Sequence, residues 1–528
     1  MYTFLTVQLT NGMKKTTDFI WQFIHSLTHA EKTYFRRNYA VAIQKEKALY
    51  LKLFDTIAAQ KIYNEPHLIL SLSPNITVKN IAFQKHYLLT HLNNALVEYY
   101  SRNNIYQEIY RQIQLIRVYR KKGLLDEAHL LWKKTMARAR KTESFAMSSL
   151  LKSEFEKMIL FSSSHISYDE LHTIFNQNAL TYPEYTDMVT LRDIYAEIVL
   201  IKRKVHYDID DTQAKTIKQL LKQVDNYGKD KGGKSFWFRH YFTMSKATLL
   251  YLLNKMEEAF NLLAKNLLEW KKQPTFITSN GEHYLELLYM INYAGISCGK
   301  YEYVTAAFKD TCNTLIEDKM QRANFEAIQF LAFNKIFNKT AQYDEVGKLI
   351  KYMNANYKLW EPLLNNDINR TVNLSLGIAS FVLEKYNDSF SYIKNAIINY
   401  KDGAREEHIA VGQLLLLLIT YSMNNARLFD AQYRSTYAYF YKRKKKQPFE
   451  SALVQCLHRS FYMTSSKEKI KEYLKALQVF EENKENVIQQ MVSSIFNYRG
   501  WLQSKAQRIS YKTFVELKVK DQDLISLS

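Results

Sequence analysis

The sequence predicts an all-α fold of antiparallel helical hairpins that repeat along the chain. Three observations carry this expectation. The 528 residues include only 13 Gly and 6 Pro, too few turn-formers for an all-β chain of this length. Hydrophobic residues make up 47% and aromatics 14%, enough for a buried core and too apolar for a disordered chain. A phrase that reads as one helix turning back on another recurs at near-constant spacing. The chain also exceeds the usual size of one compact domain, so several domains or one elongated array are expected.

At the N-terminus, MYTFLTVQLTNG precedes MKKTTDF. The second stretch resembles a start at Met13, and residues 1–12 are expected to be a non-structural extension. Residues 13–100 lack the recurring phrase and are expected to form a helical bundle or cap. SLTHAEKTYFRRNY carries a capping box, with Thr28 or Ser26 as N-cap, Glu31 behind it and an apolar face of Phe35 and Tyr39. LSLSPNITVKN breaks the region at Pro74. A small helix-turn-helix module is an alternative reading of this bundle.

The phrase first appears in YRKKGLLDEAHLLWKK, Tyr119 to Lys134. A turn is followed by acidic or polar residues, a small or aliphatic anchor, and a large residue four positions later. The anchor pairs are Ala128/Trp132, Leu171/Phe175, Ala259/Leu263, Val304/Phe308, Val346/Ile350, Ser389/Ile393 and Ala431/Ser435. Their intervals are 43, 88, 45, 42, 43 and 42 residues, with Ala214 placed by spacing in the double gap. A small anchor lets two helices approach, and the residue one turn on fills the groove between them. The acidic pairs Asp126/Glu127, Glu257/Glu258 and Asp344/Glu345 suit the positive end of the second helix. Residues 101–440 are therefore assigned to the repeats. YGKDKGGKSFW (Tyr227 to Trp237) punctuates them, and VGQLLLLLITY reads as a buried helix, too short to span a membrane. Residues 441–528 are expected to hold a basic linker and C-terminal capping helices.

Tyr119, Gly123, Ala128 and Trp132, together with the turns GKYEYV and QYDEV, resemble the tetratricopeptide repeat. The resemblance covers roughly Ile105 to Ala438. It departs from the family in a period about nine residues longer than the usual 34 or so, and in lacking the Pro that ends the second helix. The chain is also similar to helical-repeat proteins of comparable length common in bacteria. The resemblance implies a right-handed α-solenoid of period about 43 that binds ligands with the first helix of each hairpin. Carrying the slots over places Tyr110, Arg117, Arg120, Lys121, Tyr241, Tyr289, Tyr293, Lys335 and Lys339 on the groove side. Such a groove would suit a protein or peptide with acidic and apolar residues.

The formal net charge is +21, which attracts polyanions at long range. The most concentrated basic run is Lys442, Arg443, Lys444, Lys445 and Lys446, read either as a solvated helix end or as a polyanion contact. The three cysteines, Cys298, Cys312 and Cys456, show no C-x-x-C spacing, which disfavours a disulfide framework and fits a reducing compartment. There is no apolar run of spanning length and no secretory h-region, so a cytoplasmic location is expected. H-E-x-x-H, Gly-rich phosphate loops and G-x-S-x-G are absent from the sequence. The pairs His165/His172 and His206/His240 have no diagnostic metal spacing. No cofactor or metal is expected, and the chain is expected to be a non-enzymatic interaction scaffold. The alternative is a nucleic-acid-associated or transcription-regulatory protein that uses its basic surface and N-terminal helices.

Overall fold

The computed structural model describes residues 18–40, 45–101, 104–161, 185–202, 211–228, 235–311, 319–364, 366–398, 406–443 and 447–526. Among them every regular element is a helix. The chain divides into two compact units, Met1–Ile166 and Ser167–Ser528. The expectations for residues 1–12, for Leu171/Phe175 and for His165, His172 and His206 lie outside the described residues.

The first unit holds α1 (Phe19–Ser26), α2 (His29–Ala40), α3 (Lys45–Ala59), α4 (Glu65–Leu72), α5 (Ile81–Ser101), α6 (Ile105–Lys121), α7 (Leu125–Lys141) and α8 (Phe145–Phe161). Helix α2 begins with the capping box: Glu31 N–H donates to Thr28 Oγ1 at 3.1 Å, and the Glu31 carboxylate accepts from the Thr28 N–H. Phe35 is buried with Ile24, Leu53, Phe54, Leu68, Leu88 and Leu92 in the core of α1–α5. In α6, Ile109, Ile113 and Ile116 form the buried stripe, and α7 answers with Ala128, Trp132, Met136 and Ala139. Trp132 Nε1 donates to the Leu151 carbonyl at 2.7 Å, joining α7 to α8.

The second unit begins with α9 (185–202). It continues with α10 (Asp211–Tyr227), α11 (Phe236–Leu252), α12 (Met256–Lys271), α13 (Pro274–Ser279), α14 (Gly281–Ser297), α15 (Tyr301–Thr311), α16 (Lys319–Lys339) and α17 (Tyr343–Trp360). After a 3-10 turn come α18 (Asn366–Val382), α19 (Tyr386–Ile398), α20 (Glu406–Ser422), α21 (Ala426–Lys442) and α22 (Pro448–Tyr462). Helices α23 (Ser466–Glu482), α24 (Val487–Ile495), α25 (Tyr498–Ala506) and α26 (Tyr511–Ser526) close it. Helices α11, α14, α16, α18 and α20 pack against the helix that follows them, α14 also packs against α12 and α16, and α16 lies between α14 and α18. The two-sided contact explains why α14 buries residues nearly all round and why Leu414 to Ile419 of α20 are consecutively buried.

The hairpin turn is one motif used repeatedly. A left-handed residue lies two positions before the second helix at Gly123, Glu143, Asn254, Gly299, Ala341, Glu384 and Asn424. At six of these the next residue's N–H reaches back five residues to a carbonyl, as in Leu124 to Tyr119, Lys255 to Leu250 and Lys385 to Ser380. That is the Schellman closure, which satisfies carbonyls left open at the helix end. The acidic pairs then fall in the first turns of α7, α12 and α17.

The anchors through Ser389/Ile393 are buried wherever they are described. A Cβ added at Gly295 would stand 2.6 Å from Val304, and one at Gly377 only 2.3 Å from Ile393, so these anchors press directly onto the first helix. The last pair needs correction. Ala431 and Ser435 are exposed, and their places are taken by buried Phe429 and half-buried Tyr433, the fourth and eighth residues of α21. On α10 the buried positions are Ile217, Leu220 and Val224, while Ala214 is half-exposed.

Candidate functional site

The described face that offers the most unspent chemistry lies in the second unit, on α9, α11, α14 and α16. Tyr289 and Tyr293 stand one turn apart on α14, with Tyr289 Oη donating to Tyr293 Oη at 3.2 Å. Tyr251 of α11 meets the Tyr293 ring edge-on, with centroids 6.4 Å apart. Lys335 of α16 holds its Nζ 5.6 Å from the Tyr293 ring centroid. Lys202, the last described residue of α9, sits 5.7 Å from Tyr289 and 5.8 Å from Tyr251. Lys339 follows Lys335 by one turn.

The charge balance of this face is one-sided. Among the described residues, neither Lys335 nor Lys339 has a carboxylate within 4.0 Å. Burial, reinforced by the like charge of Lys339, pushes the Lys335 ammonium down from 10.5 to about 8. Lys339 remains exposed along its length, yet burial of its amine lowers its pKa as well. The nearby acid on α14, Glu286, accepts a 2.6 Å hydrogen bond from the Tyr195 hydroxyl. Cation–π contact with Tyr293 compensates Lys335 only in part, at roughly 0.5–2 kcal/mol. Chemically the face sets lysine ammoniums against tyrosine rings.

The other expected groove residues are placed differently. Tyr241 is buried, and its hydroxyl lies 3.1 Å from His283 Nε2. In the first unit Tyr110 and Lys121 are exposed on α6. Arg117 Nε and Arg120 Nη2 lie 2.8 and 3.4 Å from the buried Glu154 carboxylate of α8, and Lys157 Nζ lies 3.0 Å from it. Burial opposes ionisation of Glu154, but hydrogen bonds from Lys157 and Arg117 outweigh it and hold its pKa below the usual value. These arginines are therefore spent on an internal acid. Lys442 is exposed, whereas Arg443 is nearly buried and bridges Glu450 at 2.9 Å. Lys444, Lys445 and Lys446 lie outside the described residues.

Lys202 escaped sequence reasoning because it follows no turn phrase, and the signal that could have found it is IKRK at the end of an apolar helix. His240 is buried: Asn266 Nδ2 and Trp270 Nε1 both lie 3.1 Å from its Nδ1, and burial pushes its pKa down to about 3. It is a neutral core histidine. Among the described residues no cluster of three or more His, Cys, Asp or Glu is arranged to hold a metal, and no helix is long and apolar enough to cross a membrane. Cys298 and Cys456 are free thiols.

The described residues thus define an all-helical protein of paired helices. Comparison of the chain with protein-family models, curated proteins and solved structures finds no match.

Proposed function

We propose that the chain is a non-enzymatic, cytoplasmic scaffold, a tetratricopeptide-like right-handed α-solenoid that docks an acidic, partly apolar segment of a protein partner on the lysine–tyrosine face. One observation carries the reading: among the described residues, Lys335 and Lys339 have no carboxylate within 4.0 Å on a face walled by Tyr251, Tyr289 and Tyr293. An enclosed cation without a counter-charge lowers stability, and a partner carboxylate supplies that charge while its apolar neighbours cover the rings. Lysine ammoniums ask for charge rather than bidentate geometry, which suits a peptide rich in Asp and Glu.

Fluorescence anisotropy of the full chain against labelled peptides tests this. One peptide alternates Asp or Glu with Leu or Phe, and a second of equal length replaces the acids with Gln. The acidic peptide binds, the Gln peptide binds roughly tenfold more weakly, and Lys335→Met with Lys339→Met removes the difference. Equal binding of both peptides, or acid preference that survives the lysine changes, refutes the assignment.

A further inference from the structure

We propose that the exposed stripe of α21 is a stacking platform for single-stranded nucleic acid, a second binding site distinct from the lysine–tyrosine face. Arg427, Asp430, Arg434, Tyr437 and Tyr441 alternate at three- and four-residue steps and so share one side of the helix. Along it the rings of Tyr437 and Tyr441 lie 6.2 Å apart between centroids and within 18° of parallel, and half-buried Tyr433 supports them from the core side, 6.0 Å from Tyr437. His458 of α22 stacks on Tyr433 at 4.0 Å and 16°, anchoring that supporting ring. Tyr437 is 48% exposed and Tyr441 76%, so both rings are open to a stacking partner.

The charges around these rings have the sign a phosphate backbone requires. Arg427, Arg434 and Lys442 are exposed, and among the described residues none has a carboxylate within 4.0 Å. The acid on the stripe, Asp430, accepts a hydrogen bond from the Tyr462 hydroxyl. Nearby Glu450 is buried and bridged by Arg443, and Glu472 is held by Lys475 at 2.6 Å and Arg459 at 3.5 Å. Cations beside ring faces are what an unpaired strand uses: bases stack on aromatics whatever their identity, and phosphates meet Arg and Lys. A duplex hides its base faces and gains only the charge contact.

The test is anisotropy of the full chain with a fluorescein-labelled oligo(dT) of roughly 20 nucleotides, and with a duplex of the same length. The single strand binds roughly tenfold tighter than the duplex. Tyr437→Ala with Tyr441→Ala weakens it by roughly tenfold or more and leaves the salt dependence unchanged, whereas Tyr437→Phe with Tyr441→Phe preserves affinity. As a second readout, Arg434→Gln with Lys442→Gln, both at exposed positions, lowers the slope of log affinity on log salt by about 1.4. No binding of the single strand, equal affinity for the duplex, alanine variants that melt like the wild type and bind as tightly, or an unchanged slope in the glutamine variant would each overturn the proposal.

Discussion

Lys335→Met keeps the length of the side chain and removes its charge, and it is expected to make the protein more stable. Burial and the neighbouring Lys339 lower this amine from 10.5 to about 8. Each pH unit between the two values is worth about 1.4 kcal/mol, so the charged form costs the folded state at most about 3 kcal/mol. Lys335 is half-exposed, and solvent screening reduces the expected gain to about 1–2 kcal/mol. The sign with pH follows from the folded pKa lying below the unfolded one. At neutral pH both states are protonated and the full penalty is present. As pH rises through about 8 the folded state releases its proton while the unfolded chain keeps it to about 10.5, so the wild type gains on the variant across that window. Urea denaturation at neutral pH and again in the upper part of this window reads both effects. A variant less stable than the wild type at neutral pH, or a gap that does not narrow as pH rises, would refute the reasoning. Combined with Lys339→Met, the same change removes the preference for an acidic peptide, so stability and binding move in opposite directions.

Two further predictions concern folding. Glu154→Gln removes the shared charge of Arg117, Arg120 and Lys157 and is expected to cost about 2–3 kcal/mol at neutral pH, less than a fully buried pair because the three cations reach water. The Glu154 pKa is depressed in the fold, so its contribution is present above the unfolded carboxyl value and fades as pH falls. Urea melts at neutral and acid pH should therefore converge, and a constant difference argues against the charge. Glu384→Gly places the residue without a Cβ at φ 59° and is expected to raise stability by about 0.5–1 kcal/mol. Gly299→Ala, where an added Cβ meets nothing within 4 Å, isolates the same conformational cost with opposite sign; thermal melts that move the other way would show that these turns relax.

What was legible in the sequence is what local chemistry determines. The Thr28–Glu31 capping box and the Ala128/Trp132 and Val304/Phe308 anchors were readable because each depends on residues within one helical turn. The slip at Ala431 arose because Ala looks like an anchor, although Phe429 holds that slot: a helix start is fixed by the left-handed Asn424, not by side-chain size. Gly123 and Gly299 announce their turns, while Ala341 and Glu384 adopt the same backbone with nothing in their side chains to signal it. For the site the limit was long-range pairing. Arg117 and Lys335 look alike on their helices, and only the neighbour at Glu154, 37 residues away, separates a structural cation from one with no carboxylate beside it among the described residues. Tyr241 and Tyr293 likewise share a pattern but differ in burial.

The repeated turn carries a consequence for how such a chain can change length. Exposed connections are ordinarily the segments most tolerant of added residues. At Gly123, Glu143, Asn254, Gly299, Ala341, Glu384 and Asn424 the left-handed residue stands two positions ahead of the next helix, and so acts as a phase setter. One residue added between Gly299 and Tyr301 would advance α15 by about 100°, carrying Val304 away from Gly295 and presenting a different side to α14. Insertions inside these turns therefore scramble the core, while the exposed surface of the second helices is free to diverge. The short turns therefore fix the phase of each following helix, whatever residues they are written in.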